Sequence, residues 1–147
     1  MTLQQCDLLL SGGKLLCMDD ANTQLRHGAV AVTDGKIVEI GTRNALQQKY
    51  SAKEEIHHEN AILLPGLIDA HMHETLTRGL HEDLPLMRWL TEVCYPVEGA
   101  YRPDDLTAAA LMTQAELIRG GVTTFIDIFR FADKAIEVTK QTGLRGI

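Results

Sequence analysis

A change of pattern at Pro65-Gly66 divides this sequence into two folding problems. Downstream of it, extended runs alternate with helices. Residues 67–70 form a short apolar run, read as a buried strand, that enters His71-Met72-His73. Residues 85–93 have helical spacing, with Leu86 and Leu90 four apart. Residues 104–119 carry a stronger helical signal. Pro103 and two aspartates mark its start and Gly120-Gly121 its end, while Leu106, Ala109, Ala110, Thr113 and Leu117 share one face. The β-branched run 122–128 reads as a buried strand. A helix over 132–142 closes at Gly143, and 144–147 begins another strand. The order β-α-β-α-β favours a parallel sheet with right-handed crossovers, so the fold class is α/β.

Upstream, residues 1–64 read as β. A run at 6–10 ends at Ser11-Gly12-Gly13, and a second at 14–18 ends at Asp19-Asp20. Residues 29–33 and 36–40 flank Asp34-Gly35, the two-residue turn chemistry of a β-hairpin, though the second strand alternates only in part. Residues 43–50 can form a short helix, and Ile56 and 61–64 read as extended.

Two βα units and the opening of a third strand fall short of a (β/α)8 barrel, which needs about 250 residues. The 147 residues are therefore expected to be the N-terminal part of a longer polypeptide. The alternative is a small three-stranded sheet complete in itself, with uncovered edges. With 45% hydrophobic and 23% charged residues, the composition is that of a globular protein. A net charge of −6 disfavours nucleic acid and anionic membrane as partners. No apolar run approaches the roughly 18 residues of a membrane span, and the N-terminus lacks the basic and apolar segments of a signal peptide. A cytoplasmic location follows as the expectation. Cys6, Cys17 and Cys94 show no C-x-x-C spacing and read as reduced core residues.

His71-Met72-His73 carries the chemistry. Side chains alternate along a strand, so His71 and His73 point one way and Met72 the other, toward packing. Two imidazoles so placed can converge on one metal ion, and the C-terminal ends of barrel strands are where such sites gather. A catalytic zinc takes three protein ligands, so further ligands are expected beyond residue 147. His57 and His58 lie in the charged segment KEEIHHEN and His81 in a polar loop; all three are expected to face solvent. Asp127, ending its strand, is a candidate partner that orients a ligand histidine, or a carboxylate that caps a neighbouring loop.

The signature PGLIDAHMH, with LMRWL, YPVE and GGVTTFID behind it, makes residues 62–147 resemble the amidohydrolase superfamily. Within it, the chain resembles the branch of methylthioadenosine/S-adenosylhomocysteine deaminases and triazine chlorohydrolases. Residues 6–64 match more loosely, through DLLLSGGKLL and AVAVTDGKIVEIG. The resemblance implies the start of a metal-dependent (β/α)8 barrel over 65–147, preceded by part of a small β-sandwich over 1–64. It implies one divalent metal ion, zinc or alternatively iron, held in part by His71 and His73. The other ligands and the proton-moving glutamate would come from later strands. It places Trp89 in the base pocket and Glu98 on ribose hydroxyls; the plainer readings are a core tryptophan and a solvated charge. Two departures weigh against an adenosine-like substrate. Glu74 puts an acid beside the histidines, and the loop from His73 to Arg78 is about two residues short. Asp69, where Asn is common, is a milder departure.

The function so implied is hydrolysis of a non-peptide C–N bond in a small heterocycle, most directly deamination of an aminopurine, pyrimidine or nucleoside. The alternatives are an s-triazine chlorohydrolase or aminohydrolase, a guanine-type deaminase, and an inactive remnant with a binding or structural role. The full-length enzyme is expected to be a homo-oligomer, and the 147 residues alone to be inactive.

Overall fold

The structure is a computed structural model that describes residues 2–75, 79–80, 83–129 and 132–147. It forms two compact units, Met1–Pro65 and Gly66–Ile147.

The first unit is one five-stranded sheet. It comprises β1 (Gln4–Leu16), β2 (Gln24–Arg26), β3 (Gly28–Thr33), β4 (Lys36–Thr42), the short helix α1 (Arg43–Gln47) and β5 (Tyr50–Leu63). Antiparallel β3 and β2 share one edge of β1, and β5 runs parallel along the other. Asp34 and Gly35 turn the β3–β4 hairpin with φ of 51° and 70°, as the tight hairpin turn requires. The pairing jumps from Ala31↔Glu39 to Val32↔Ile37, which leaves Val38 as a bulge and explains the broken alternation. Thr42 caps α1 by accepting from the Ala45 N–H. Cys6, Leu9, Ala29, Ala31 and Leu46 form the core. Asp7 ties three elements together: it accepts from the Asp34 N–H at 2.8 Å and from Lys53 Nζ at 2.6 Å. The Lys53 hydrogen bond, then that from Asp34, holds its carboxyl below the usual range.

One expectation is corrected here. Ser11-Gly12-Gly13 does not end a strand; β1 runs through it. The glycines serve close approach instead. A Cβ on Gly13 would lie 2.0 Å from the Glu59 carbonyl oxygen, and one on Gly12 would lie 2.9 Å from that of Ala61.

The second unit has a three-stranded parallel sheet in the order β6-β7-β8. The strands are β6 (Leu67–Met72), β7 (Val122–Asp127) and β8 (Arg145–Gly146). The helices are α2 (Leu86–Trp89), a π-helical turn (Leu90–Cys94), α3 (Tyr95–Ala100), α4 (Pro103–Arg119) and α5 (Ala132–Thr142). The π turn accommodates Pro96, which has no N–H to donate; the Tyr95 N–H reaches back to the Leu90 carbonyl. Asp105 accepts from the Arg102 N–H at 2.9 Å and secures the start of α4. Gly143, at φ 77°, ends α5. Phe125 and Val138 are fully buried, as are Ala109 and Ala110 on the apolar face of α4. Gly66 lies against β7, where a Cβ would come within 2.2 Å of Thr123 Cγ2.

Two strand readings are corrected. The strand entering the histidines is not buried along its length, because β6 pairs on one edge only among the described residues and leaves Leu67 and Ile68 exposed. β7 ends at Asp127, so Ile128 is outside it and exposed. Among the described residues no helix is long and apolar enough to cross a membrane.

Candidate metal centre and adjoining cavity

The alternation of β6 continues two residues past its end. Met72 and Glu74 are buried, whereas His71 and His73 are exposed on the other side. The two imidazole centroids are 5.0 Å apart, with the rings at 77°. Asp69 accepts from the His71 backbone N–H at 3.1 Å. His73 also leans on Phe129, with centroids 5.7 Å apart.

Asp127 arrives from the end of β7. Its Oδ1 is 3.9 Å from His73 Nδ1, and its side chain is only 10% exposed. That oxygen is buried and has no hydrogen-bond partner among the described residues. Burial raises the Asp127 carboxyl's pKa; His73 and the backbone N–H groups of Glu74 and Phe129 oppose the rise.

Glu74 is not an acid presented beside the histidines. It is 3% exposed, and its Oε1 accepts from Gln114 Nε2 at 2.6 Å. Burial raises the Glu74 carboxyl's pKa, the Gln114 hydrogen bond opposes this, and the charge of Asp127 adds to it. Gln114 was missed in the sequence. Its signal is a glutamine one helical turn beyond Ala110, on the apolar face of α4.

Beside the histidines is a cavity of about 410 Å3, lined by His73, Thr75, Trp89, Tyr95, Glu98 and Phe129 among others. Trp89 is half-buried, and its indole N–H donates to the Leu80 carbonyl at 3.0 Å. Glu98 is half-buried on α3. The hydroxyls of Thr75 and Tyr101 are 3.2 Å apart. His73, Trp89 and Glu98 thus share one cavity; His71 and Glu74 are not among its described lining residues.

The other histidines behave differently. His57 is not simply solvated: Nδ1 is 2.9 Å from Ser11 Oγ and Nε2 is 2.9 Å from Glu59. His58 is exposed. His81 lies outside the described residues, as do Leu76, Thr77 and Arg78 of the short loop. Among the described residues no three or more His, Cys, Asp or Glu side chains form a group able to hold a metal ion, so the imidazole pair is at most part of a shell.

Residues 62–147 match the Amidohydrolase family, and residues 28–50 match the imidazolonepropionase-like composite domain of bacteria. A 5-methylthioadenosine/S-adenosylhomocysteine deaminase of Nitratidesulfovibrio vulgaris is 37% identical over 95% of this chain and 32% of its own length. The crystal structure of an adenosine deaminase from Xanthomonas campestris with bound zinc superimposes with a TM-score of 0.94. It is 34% identical, over 99% of this chain and 34% of that one. The zinc complex of atrazine chlorohydrolase TrzN from Arthrobacter aurescens shares the fold, with a TM-score of 0.79 and 24% identity over 95% of this chain and 34% of its own. An α/β unit whose first strand delivers an H-x-H pair defines the class, and the chain belongs to the amidohydrolase family. It spans about a third of the length of the relatives it matches.

Proposed function

We propose that this chain supplies the first metal-binding strand and part of the substrate pocket of a metal-dependent hydrolase of non-peptide C–N bonds. The reaction is deamination of an aminopurine-type heterocycle or nucleoside. The observation that carries this reading is the His71–His73 pair at the end of β6, with His73 in the wall of a cavity shared with Trp89 and Glu98. Identity of 37% to a deaminase and a TM-score of 0.94 to a zinc-bound adenosine deaminase support it.

The residues present fit a divalent ion, zinc before iron. Two imidazoles lie together, and the buried Asp127 Oδ1, unpartnered among the described residues, faces His73 Nδ1. At 3.9 Å the two are not hydrogen-bonded, but a small closing of that gap would let the carboxylate accept Nδ1–H, orient the ring and leave the other nitrogen as ligand. When bound, the metal supplies the Lewis acidity that makes water a nucleophile near neutral pH. Trp89, held by its bond to Leu80, presents an aromatic surface to a planar base. Glu98 accepts from sugar hydroxyls, and Leu86, Leu90, Ile128 and Phe129 give the cavity wall apolar surface. The remaining ligands and the proton carrier belong to sequence outside these residues. So do the rest of a (β/α)8 barrel and the partner layer of a sandwich begun by residues 1–64. The full-length enzyme acts as a cytoplasmic homo-oligomer.

The test offers full-length protein an adenosine-type nucleoside and a chloro-s-triazine, and measures ammonia, chloride and bound metal. His71→Ala and His73→Ala are expected to lose metal and ammonia release together, and His58→Ala to lose neither. Equal loss from His58→Ala would place the site in the wrong segment. Trp89→Ala is expected to raise KM while retaining metal; complete metal loss would make Trp89 a core residue. Release of chloride without ammonia would transfer the assignment to the triazine reaction.

A further inference from the structure

We propose that Glu74 and Gln114 are a positioning pair that fixes the chain beyond β6 and thereby sets how His73 meets Asp127. The inference rests on the metal-binding reading of His71 and His73.

Glu74 is held from two sides. Its backbone N–H favours the charged form of the Asp127 carboxyl, and its side chain accepts from Gln114 on α4 at 2.6 Å. Because Glu74 directly follows His73, a shift of that segment moves the histidine and a partner of the aspartate together. Gln114 is itself immobilised. It is fully buried, and its second Nε2 hydrogen goes to Thr139 Oγ1 at 2.9 Å. Its Oε1 accepts from the Thr142 hydroxyl at 2.6 Å. Thr139 spends its own proton on the Ala135 carbonyl at 2.7 Å, so toward Gln114 it can only accept. The amide therefore has one orientation, with its nitrogen toward Glu74; the flipped amide would set oxygen against carboxylate and against Thr139.

A buried carboxyl and a fully buried amide are costly where an apolar pair could fill the same space. What the polar pair provides is a fixed position. Its bonds run from the segment after β6 through α4 into α5, with donor and acceptor roles assigned at every step. The sequence H-M-H-E thus places two imidazoles on one side of the chain and the anchor of the second on the other. Glu74 is not among the described residues that line the cavity, so its action is through His73.

The experiment uses full-length holoprotein. Zinc affinity is read by chelator competition, and ligand geometry by the visible bands of the cobalt-substituted protein. Gln114→Leu is expected to weaken zinc binding tenfold or more and to alter the cobalt bands, the range found for outer partners of metal ligands. Glu74→Gln keeps an oxygen for the Gln114 donor and is expected to stay within about threefold, with the bands of the parent, whereas Glu74→Leu follows Gln114→Leu. A folded Gln114→Leu protein with parental affinity and bands overturns the proposal. Should that variant not fold, Thr142→Val decides. It removes the donor to Gln114 Oε1 together with the longer contact of the same hydroxyl to the Thr139 carbonyl within α5, and leaves Glu74 and Gln114 in place, so altered bands support the proposal and parental bands overturn it. His71→Ala is the separating control. If it keeps its metal, the metal reading itself fails. If it loses metal while Gln114→Leu and Glu74→Leu do not, only the positioning role fails.

Discussion

Gly66→Ala tests why Pro-Gly precedes the strand that leads into the histidines. A Cβ at Gly66 would lie 2.2 Å from Thr123 Cγ2, 2.3 Å from its Oγ1 and 2.8 Å from its Cβ. The last of these distances means that rotating the threonine cannot relieve the overlap; β6 must move away from β7. The next residue then loses its anchor, since the Leu67 N–H donates to the Gly121 carbonyl at 2.9 Å. Overpacking of this kind costs about 1–3 kcal/mol, and a lost backbone hydrogen bond adds about 1 kcal/mol. The expected destabilisation is therefore about 2–4 kcal/mol, read from denaturant unfolding of the full-length protein, with Leu67 amide exchange reporting the location. Thr123→Gly removes all three overlapping atoms. A Gly66→Ala/Thr123→Gly double variant is expected to be more stable than the sum of its single variants by about 1–3 kcal/mol. Additivity within about 0.5 kcal/mol would refute the steric account, as would unchanged Leu67 exchange in Gly66→Ala.

Asp127→Asn keeps an oxygen for the neighbouring backbone donors but can turn an N–H2 toward His73, which favours the wrong imidazole tautomer. Zinc affinity of the full-length protein is expected to fall about 10–100-fold, with chelator competition as the measurement. Asp7 has a depressed folded pKa, so the stability it contributes is present above the unfolded carboxyl value of about 3.9 and is lost as pH falls through the folded value. Asp7→Asn is thus expected to flatten the acid limb of unfolding for β1, β3 and β5, read by exchange of their amides from about pH 5 downward. Expressed alone, residues 1–147 hold, among the described residues, an imidazole pair rather than a three-ligand shell. With added zinc they are expected to release no ammonia from an aminopurine and to self-associate in sedimentation through exposed residues such as Leu67, Ile68 and Ile136.

The parts legible in the sequence were those fixed by local chemistry. Asp34-Gly35 has one good use between two β runs, and Gly143 closes a helix whose bounds, Ala132–Thr142, are as read. His71 and His73 fall on one side because strand alternation is a covalent property of the backbone. The misreadings came from partners distant in sequence. Gly12-Gly13 looks like a strand breaker until the Glu59 and Ala61 carbonyls of β5 are seen to need its missing side chains. Pro96 gave no warning that the helix around it would be kept by a π turn. Glu74 read as an exposed acid because Gln114, forty residues on, satisfies it, and no local periodicity links the two.

The burial of Glu74 also bears on substrate. An acid projecting beside the histidines would repel the electron-rich edge of a purine, but this carboxylate turns inward to Gln114 and does not line the cavity. Among the described lining residues, the carboxylate left to discriminate is Glu98. A nucleoside offers it a vicinal pair of sugar hydroxyls; a free aminopurine or a chloro-s-triazine offers none. A hydrogen bond to a charged group is worth about 1.5–3 kcal/mol, or roughly 10–150-fold in an equilibrium constant. Glu98→Gln keeps the shape and one acceptor but removes the charge. In full-length protein it is expected to raise KM for the nucleoside by about tenfold, while KM for the corresponding free base changes less than twofold. Bound metal, measured in parallel, is expected to stay at the parental level, since the role proposed for Glu98 is toward substrate. An equal rise for nucleoside and free base would remove Glu98 from sugar recognition and leave Trp89, stacking on the ring, as the residue that selects the substrate.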